Sequence, residues 1–173
     1  LAGLREGPVL VKSATPQQLL ELALVENVQR ADLNPLEEGL AYQSLKDEFG
    51  LSDETIARRV GKSRVAVVNS RRLTRLAPAA REALLAGELS AGHGRALLRF
   101  EDPAEQERAL QLLLRRDMSV REAERLGELA HHGQLGQAAR DALLSGAITL
   151  AQAQALLRVD EAGRQRGALE RIL

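Results

Sequence analysis

Residues 51–76, LSDETIARRVGKSRVAVVNSRRLTRL, constrain the fold more than any other stretch of the chain. Two short amphipathic segments flank Gly61, and each follows a hydroxyl residue suited to cap a helix, Ser52 before the first and Ser63 before the second. Asp53 and Glu54 then fall in the first turn of the leading segment, where carboxylates favour a helix N-terminus. Glycine is the residue that turns a chain sharply between two helices. The pattern is that of a helix-turn-helix, whose second helix can enter a DNA major groove.

The rest of the chain agrees with a helical reading. Hydrophobic residues make up 45% of it but aromatics only 2%, so Leu, Ala and Val must build the core. Ala, Leu, Arg, Glu and Gln dominate, all good helix formers. The expected fold is therefore all-α: a multi-helix domain with a helix-turn-helix, plus a short remnant of an N-terminal α/β domain. That remnant is read from Pro8–Lys12 (PVLVK), a plausible edge strand. Pro16 can open a helix running to about Arg30. Leu33-Asn34-Pro35 breaks it, because the residue before proline disfavours helix. A second helix runs from Pro35 to about Phe49 and stops at Gly50. The helix-turn-helix follows, ending near Val60 and near Arg75.

Several classes drop out. No cysteine is present, so there is no disulfide and no thiolate metal site, as expected of a cytosolic chain. No run of about 18 apolar residues is available to span a membrane. Gly-rich phosphate loops, metal-ligand clusters and nucleophile–base–acid sets are also missing, so no activity is expected of this chain alone. His131-His132 beside Gly133 read as solvated linker residues, and Leu1 in place of a starting Met is expected of an internal piece of a longer protein.

Charge is unevenly spread although the net charge is zero. Residues 1–50 hold four basic against eight acidic side chains (−4), residues 51–81 hold eight against two (+6), and residues 82–173 hold 12 against 14 (−2). Binding phosphates needs local positive potential, not a basic whole protein. Here the local excess coincides with the helix-turn-helix. At 100° per residue, Val65, Val68, Arg72 and Leu76 share a broad face, with Arg64, Arg71 and Arg75 beside it. Gly61, Lys62, Ser63 and Arg64 stand at the helix start, where a recognition helix meets base edges and phosphates. Arg64 and Asn69 are candidate base readers, since Arg can pair with guanine and Asn with adenine.

Several segments resemble one family. Glu26-Asn27-Val28-Gln29-Arg30-Ala31-Asp32-Leu33-Asn34-Pro35-Leu36-Glu37-Glu38 is similar to the ENxQRxxLNPxEE signature of ParB/Noc-type partition proteins. Val60-Gly61-Lys62-Ser63-Arg64, then Asn69 and Arg72-Leu73, resemble that family's VGKSR…N..RL reader. Gly87–Leu98 (GELSAGHGRALL) resembles its GxLSxGHARALL segment, and Ser119–Glu124 (SVREAE) its SVRExE. The resemblance covers about residues 1–126.

It implies a dimer that binds a palindromic, centromere-like (parS-type) double-stranded DNA site and works with a ParA-type ATPase through an N-terminal segment. That places the protein in the cytoplasm, on a nucleoid or plasmid. By the same resemblance Gly61, Lys62, Ser63, Arg64, Asn69, Arg72 and Arg95 face DNA, and periodicity adds Arg71 to the candidate DNA-binding residues. Glu26, Asn27 and Arg30 become remnants of a CTP and Mg2+ site in a slow CTPase. Because the GERRxRA phosphate motif would stand before Leu1, this chain is expected to bind CTP poorly or not at all. The implied domains are residues 1–49 (end of the CTP-binding domain), 50–126 (DNA-binding domain) and 127–173 (additional helices).

The chain departs from the family pattern in places. Ser52-Asp53 replace a frequent Thr-Gln, Ser70, Arg71 and Thr74 stand where leucines are common, and Gly94 replaces alanine. An aspartate at position 53 repels phosphate unless it turns to the helix N-terminus.

Beyond the resemblance, residues 135–173 match residues 76–114 without gaps at an offset of 59 (135 − 76), with 16 of 39 positions identical. A duplicated three-helix unit is the simplest account. Both segments carry a helix-ending glycine (Gly87, Gly146) and a hydroxyl cap (Ser90, Thr149), but the second has Gln152 for His93 and Gln154 for Arg95. The second unit is expected to serve packing or dimer contact. Two other functional classes fit the sequence. One is a nucleoid-occlusion or plasmid transcriptional regulator on the same scaffold. The other is a helical adaptor whose basic helix binds an acidic protein, without DNA affinity.

Overall fold

The structure, a computed structural model, describes residues 15–28, 33–131, 135–159 and 162–173. The expected strand at Pro8–Lys12 lies outside them. Among the described residues the chain is helical throughout, with no strand. Helix α1 spans Pro16–Val28, α2 Pro35–Asp47, α3 Asp53–Val60 and α4 Arg64–Leu73. Then come α5 Pro78–Leu85, α6 Ala91–Leu97, α7 Pro103–Arg116 and α8 Val120–His131. Last are α9 Gln137–Ser145, α10 Leu150–Leu156 and α11 Ala162–Leu169.

Local chemistry sets the early boundaries. Asn34 caps α2, its side chain accepting from the Leu36 N–H at 3.0 Å while the Glu37 carboxylate accepts from the Asn34 N–H at 2.9 Å. The Asn34 amide also donates to the Leu84 carbonyl at 3.1 Å, anchoring α2 to α5 across 50 residues. Ser52 and Ser63 cap α3 and α4, bonding the Thr55 and Ala66 N–H groups at 3.1 Å each. Gly61 closes α3 at φ 71°, a left-handed conformation open to glycine but strained for most side chains.

Two apolar clusters carry the packing. Val28, Tyr42, Leu45, Ile56, Ala57, Val60 and Val67 join α1 to α4. A larger cluster runs from Leu36 and Leu73 through Leu169. The clusters meet within α4, whose Val67 belongs to the first and Leu73 to the second. Apolar packing therefore does not break near residue 50. Helix α2 crosses α4 so closely that a Cβ at Gly39 would collide with the Ser70 carbonyl. This crossing fixes the angle at which α4 is presented.

The segments 76–114 and 135–173 share several bonds. Gln106, 4% exposed, accepts from the Ala77 N–H at 2.5 Å and donates to the Leu97 and Phe100 carbonyls at 3.1 and 3.3 Å. Fifty-nine residues on (165 − 106), Gln165 is 3% exposed, accepts from the Gly136 N–H at 2.9 Å and donates to the Val159 carbonyl at 3.1 Å. Ser90 with His93, and Thr149 with Gln152, form equivalent capping boxes. Gly87 and Gly146 take φ 76° and 81°. Packing repeats as well: α4 lies on α6 as α8 lies on α10.

Candidate nucleic-acid interface

Helix α4 has two opposed sides. Val67 and Leu73 are fully buried on one. On the other, Arg64, Val68 and Arg72 fall with Val65 within an arc of about 100°, counting 100° per residue, and Arg75 follows in the turn after the Thr74 cap. Arg64, Arg72 and Arg75 are exposed, and Val65 is 67% exposed. No hydrogen bond or ion pair to the described residues holds these three arginines. A solvent-facing cluster of unpaired guanidinium groups is a concentrated source of positive potential. The sequence grouping of Val65, Val68 and Arg72 thus describes the exposed face of α4. Leu76 does not share it. The helix ends at the Thr74 cap, and Leu76 turns into the core at 3% exposure.

The other candidates occupy varied environments. Gly61 is exposed in the turn and Ser63 is committed to its cap. Lys62 is ion-paired with Glu38 of α2. Asn69 is half-buried at the margin of the open face. Arg71 differs most from expectation: its side chain is only 15% exposed and points inward. Its guanidinium pairs with Asp53 at the start of α3, and its Nε donates to Gln43 of α2 at 3.0 Å. A guanidinium committed to a carboxylate and an amide does not present itself to solvent, so Arg71 ties helices together. Arg95 is exposed and unpaired on α6, which closes on α4 where a Cβ at Gly94 would lie 2.8 Å from Leu73 Cδ2. Sequence reasoning left Arg58 out of the site; it too is exposed and unpaired, near the end of α3. Its position before the turn was the available signal.

A polar network supports the reader helix from behind. Burial works against the charge of Glu38, but hydrogen bonds from Lys62, Tyr42 and Ser70 hold its carboxyl below the usual range. Tyr42 is pushed far above the ordinary phenol value by burial and by bonding to Glu38. The Ser70 hydroxyl donates to Glu38 at 2.9 Å and the Tyr42 hydroxyl at 2.8 Å. Asp53 is paired with Arg71 and lies 3.9 Å from Lys46. Both carboxylates behind α4 are therefore compensated.

His93 is a structural histidine. Its Nδ1 lies 3.3 Å from the Ser90 N–H, which can only donate, so Nδ1 accepts. Its Nε2, 2.9 Å from the Met118 carbonyl, then donates, linking α6 to the loop before α8. His131 ends α8 exposed, and His132 lies outside the described residues.

Glu26 and Asn27 are exposed at the end of α1, and Arg30 lies outside the described residues. A carboxylate and an amide suit an oxygen-liganded cation. Among the described residues, however, no three His, Cys, Asp or Glu side chains converge as metal ligands.

An all-α unit that presents a basic, unpaired helix face from a capped two-helix turn is a helix-turn-helix protein. A family profile for the ParB HTH domain matches residues 31–132. The chain belongs to the ParB helix-turn-helix family. It is 52% identical over 128 residues to the chromosome-partitioning protein Spo0J of Thermus thermophilus, covering 74% of this chain and 47% of that protein. It is 40% identical over 136 residues to ParB of Caulobacter vibrioides, covering 79% and 44%. The chain thus spans about half the length of the curated relatives it matches.

Among solved structures, it resembles C-terminally truncated ParB from Caulobacter crescentus complexed to the centromeric parS site. That match has 41% identity and TM-score 0.67, covering 73% of this chain and 66% of that one. It also resembles a ParB DNA-binding domain complexed to the parS site, at 43% identity and TM-score 0.56, covering 64% and 88%. Among the described residues no helix is long and apolar enough to cross a membrane.

Proposed function

We propose that this chain is the DNA-binding core of a partition protein that binds a palindromic parS-type site, with α4 in the major groove. The observation that carries this is the arc of α4 holding exposed, unpaired Arg64 and Arg72, with Arg75 exposed in the turn just after it, opposite a buried Val67–Leu73 stripe. Two relatives with this fold are in complex with parS DNA, which supports the same partner here. In this reading Arg64 and Asn69 face bases. Gly61, Lys62, Ser63, Arg72 and Arg95 lie along the backbone, with Arg58 and Arg75 adding potential. Two chains on one palindrome make the functional unit a dimer. In the full-length protein, a ParA-type ATPase engages a segment outside this chain, and the complex sits on a chromosome or plasmid in the cytoplasm. Glu26, Asn27 and Arg30 contribute part of a CTP–Mg2+ site there, and this chain alone binds CTP weakly.

We also infer that residues 135–173 arose by duplication of residues 76–114. The recurrence of the buried glutamine, the capping box and the left-handed glycine at one constant offset supports this, since three independent features coincide.

Arg64→Ala tests the first proposal. It should cost roughly 1–3 kcal/mol on the preferred duplex and relax discrimination at one base position. Equal weakening on random duplex would reduce Arg64 to a phosphate contact. Binding of an acidic protein in place of any duplex would overturn the reading.

A further inference from the structure

We infer that Asp53 and Arg71 are a positioning pair that sets the pose of α4 and thereby base discrimination, with neither residue touching DNA. The inference rests on the DNA-binding reading above. Arg71 stands on the reader helix, one residue before exposed Arg72 and two before buried Leu73. Its guanidinium reaches two other helices at once, Asp53 on α3 and Gln43 on α2. Exposures of 15% for Arg71 and 17% for Asp53 place the pair largely out of water, where a charge pair is screened less than at a surface. A planar guanidinium held at two edges fixes a direction as well as a distance. The second half of α4 is therefore held in three-way register with α2 and α3, next to the Gly39–Ser70 contact that sets the crossing.

Electrostatics gives the pair a second effect. Asp53 is at the first position of α3, inside the most basic part of the chain. Alone, its carboxylate would oppose an approaching phosphate; bonded to Arg71, the two charges cancel locally. The pair therefore removes a repulsion while giving up one positive charge.

A two-residue cycle on the full chain separates positioning from contact. The variants are Arg71→Met, which keeps the stem and removes the charge, Asp53→Asn, and the two combined. Each is titrated with the duplex that the unaltered chain selects from a random-sequence pool and with a scrambled duplex, and each is melted without DNA. Positioning predicts that either single change lowers discrimination roughly tenfold, and that the double is no worse than the singles, because contacting residues act as one unit. On scrambled duplex the singles should diverge: Arg71→Met weakens binding by exposing a carboxylate, Asp53→Asn strengthens it by freeing a guanidinium, and the double returns near the starting value.

Overturning results are Asp53→Asn leaving discrimination intact while Arg71→Met weakens both duplexes, or additive losses in the double, since either makes Arg71 a direct DNA contact. Additive melting shifts would likewise overturn it. If the unaltered chain selects no duplex, the DNA-binding reading fails instead, and the melting cycle still reports whether the two residues are coupled.

Discussion

Residues 76–114 and 135–173 share a backbone, a buried glutamine clamp and a set of caps, yet they present different surfaces. In the first segment Arg95 is exposed and unpaired on α6, while its counterpart Gln154 on α10 is bonded to Arg125 of α8. Where His93 reaches the Met118 carbonyl, Gln152 bonds, among the described residues, only within its own capping box. Leu112 of α7 is 3% exposed, whereas Arg171 at the matching place after α11 lies in solvent. What the segments keep is what folds them; what differs is their charge and outer surface. The second segment thus carries a charged, solvent-facing side chain where the first buries a leucine.

The comparison can be strained first at the shared clamp. Gln106→Leu leaves the Ala77 N–H and the Leu97 and Phe100 carbonyls without that partner in the core, and should cost about 2–4 kcal/mol in urea unfolding. Gln165→Leu should cost less, about 1–3 kcal/mol, and loosen α9 and α11 ahead of α4, because regions of one structure can open locally. Equal, fully cooperative losses would mean the second segment is no less integral than the first.

Next comes the exchanged residue. Arg95→Gln should weaken duplex binding and reduce the salt slope by about one phosphate contact, or roughly 0.9 in the log–log plot. Gln154→Arg should leave both unchanged. A gain in affinity from Gln154→Arg would place α10 on DNA and break the proposed division of labour.

The smallest effect is expected at His93→Gln. The equivalent Gln152 accepts its cap N–H at 2.8 Å, so the capping box should survive, and loss of the Met118 bond should cost about 1 kcal/mol. A much larger loss in thermal unfolding would show that the histidine does more than link α6 to the α8 loop.

What the sequence revealed, and what it hid, follows the range of the interactions. Helix starts at Pro35, Asp53 and Arg64 were legible because caps and prolines act within three residues. The turn at Gly61 was legible for the same reason, and the match between segments because 16 of 39 aligned positions are identical. The inward turn of Arg71 was not, since its partners Asp53 and Gln43 are 18 and 28 residues away and only the helix crossing brings them together. A trace did exist: Asp53 and Arg71 both depart from the family pattern, with opposite charges. The Lys62–Glu38 pair spans 24 residues and left no such trace. Leu76 was grouped with the exposed face because periodicity was carried past the Thr74 cap.

The central claim is that the first segment and α4 meet DNA while the second segment stays off it. Amide hydrogen exchange of the full chain, with and without its selected duplex, tests this most directly. The account predicts slowed exchange across residues 61–75 and 91–98, and no change across 150–158. Slowing at 150–158, or none at 61–75, would contradict it.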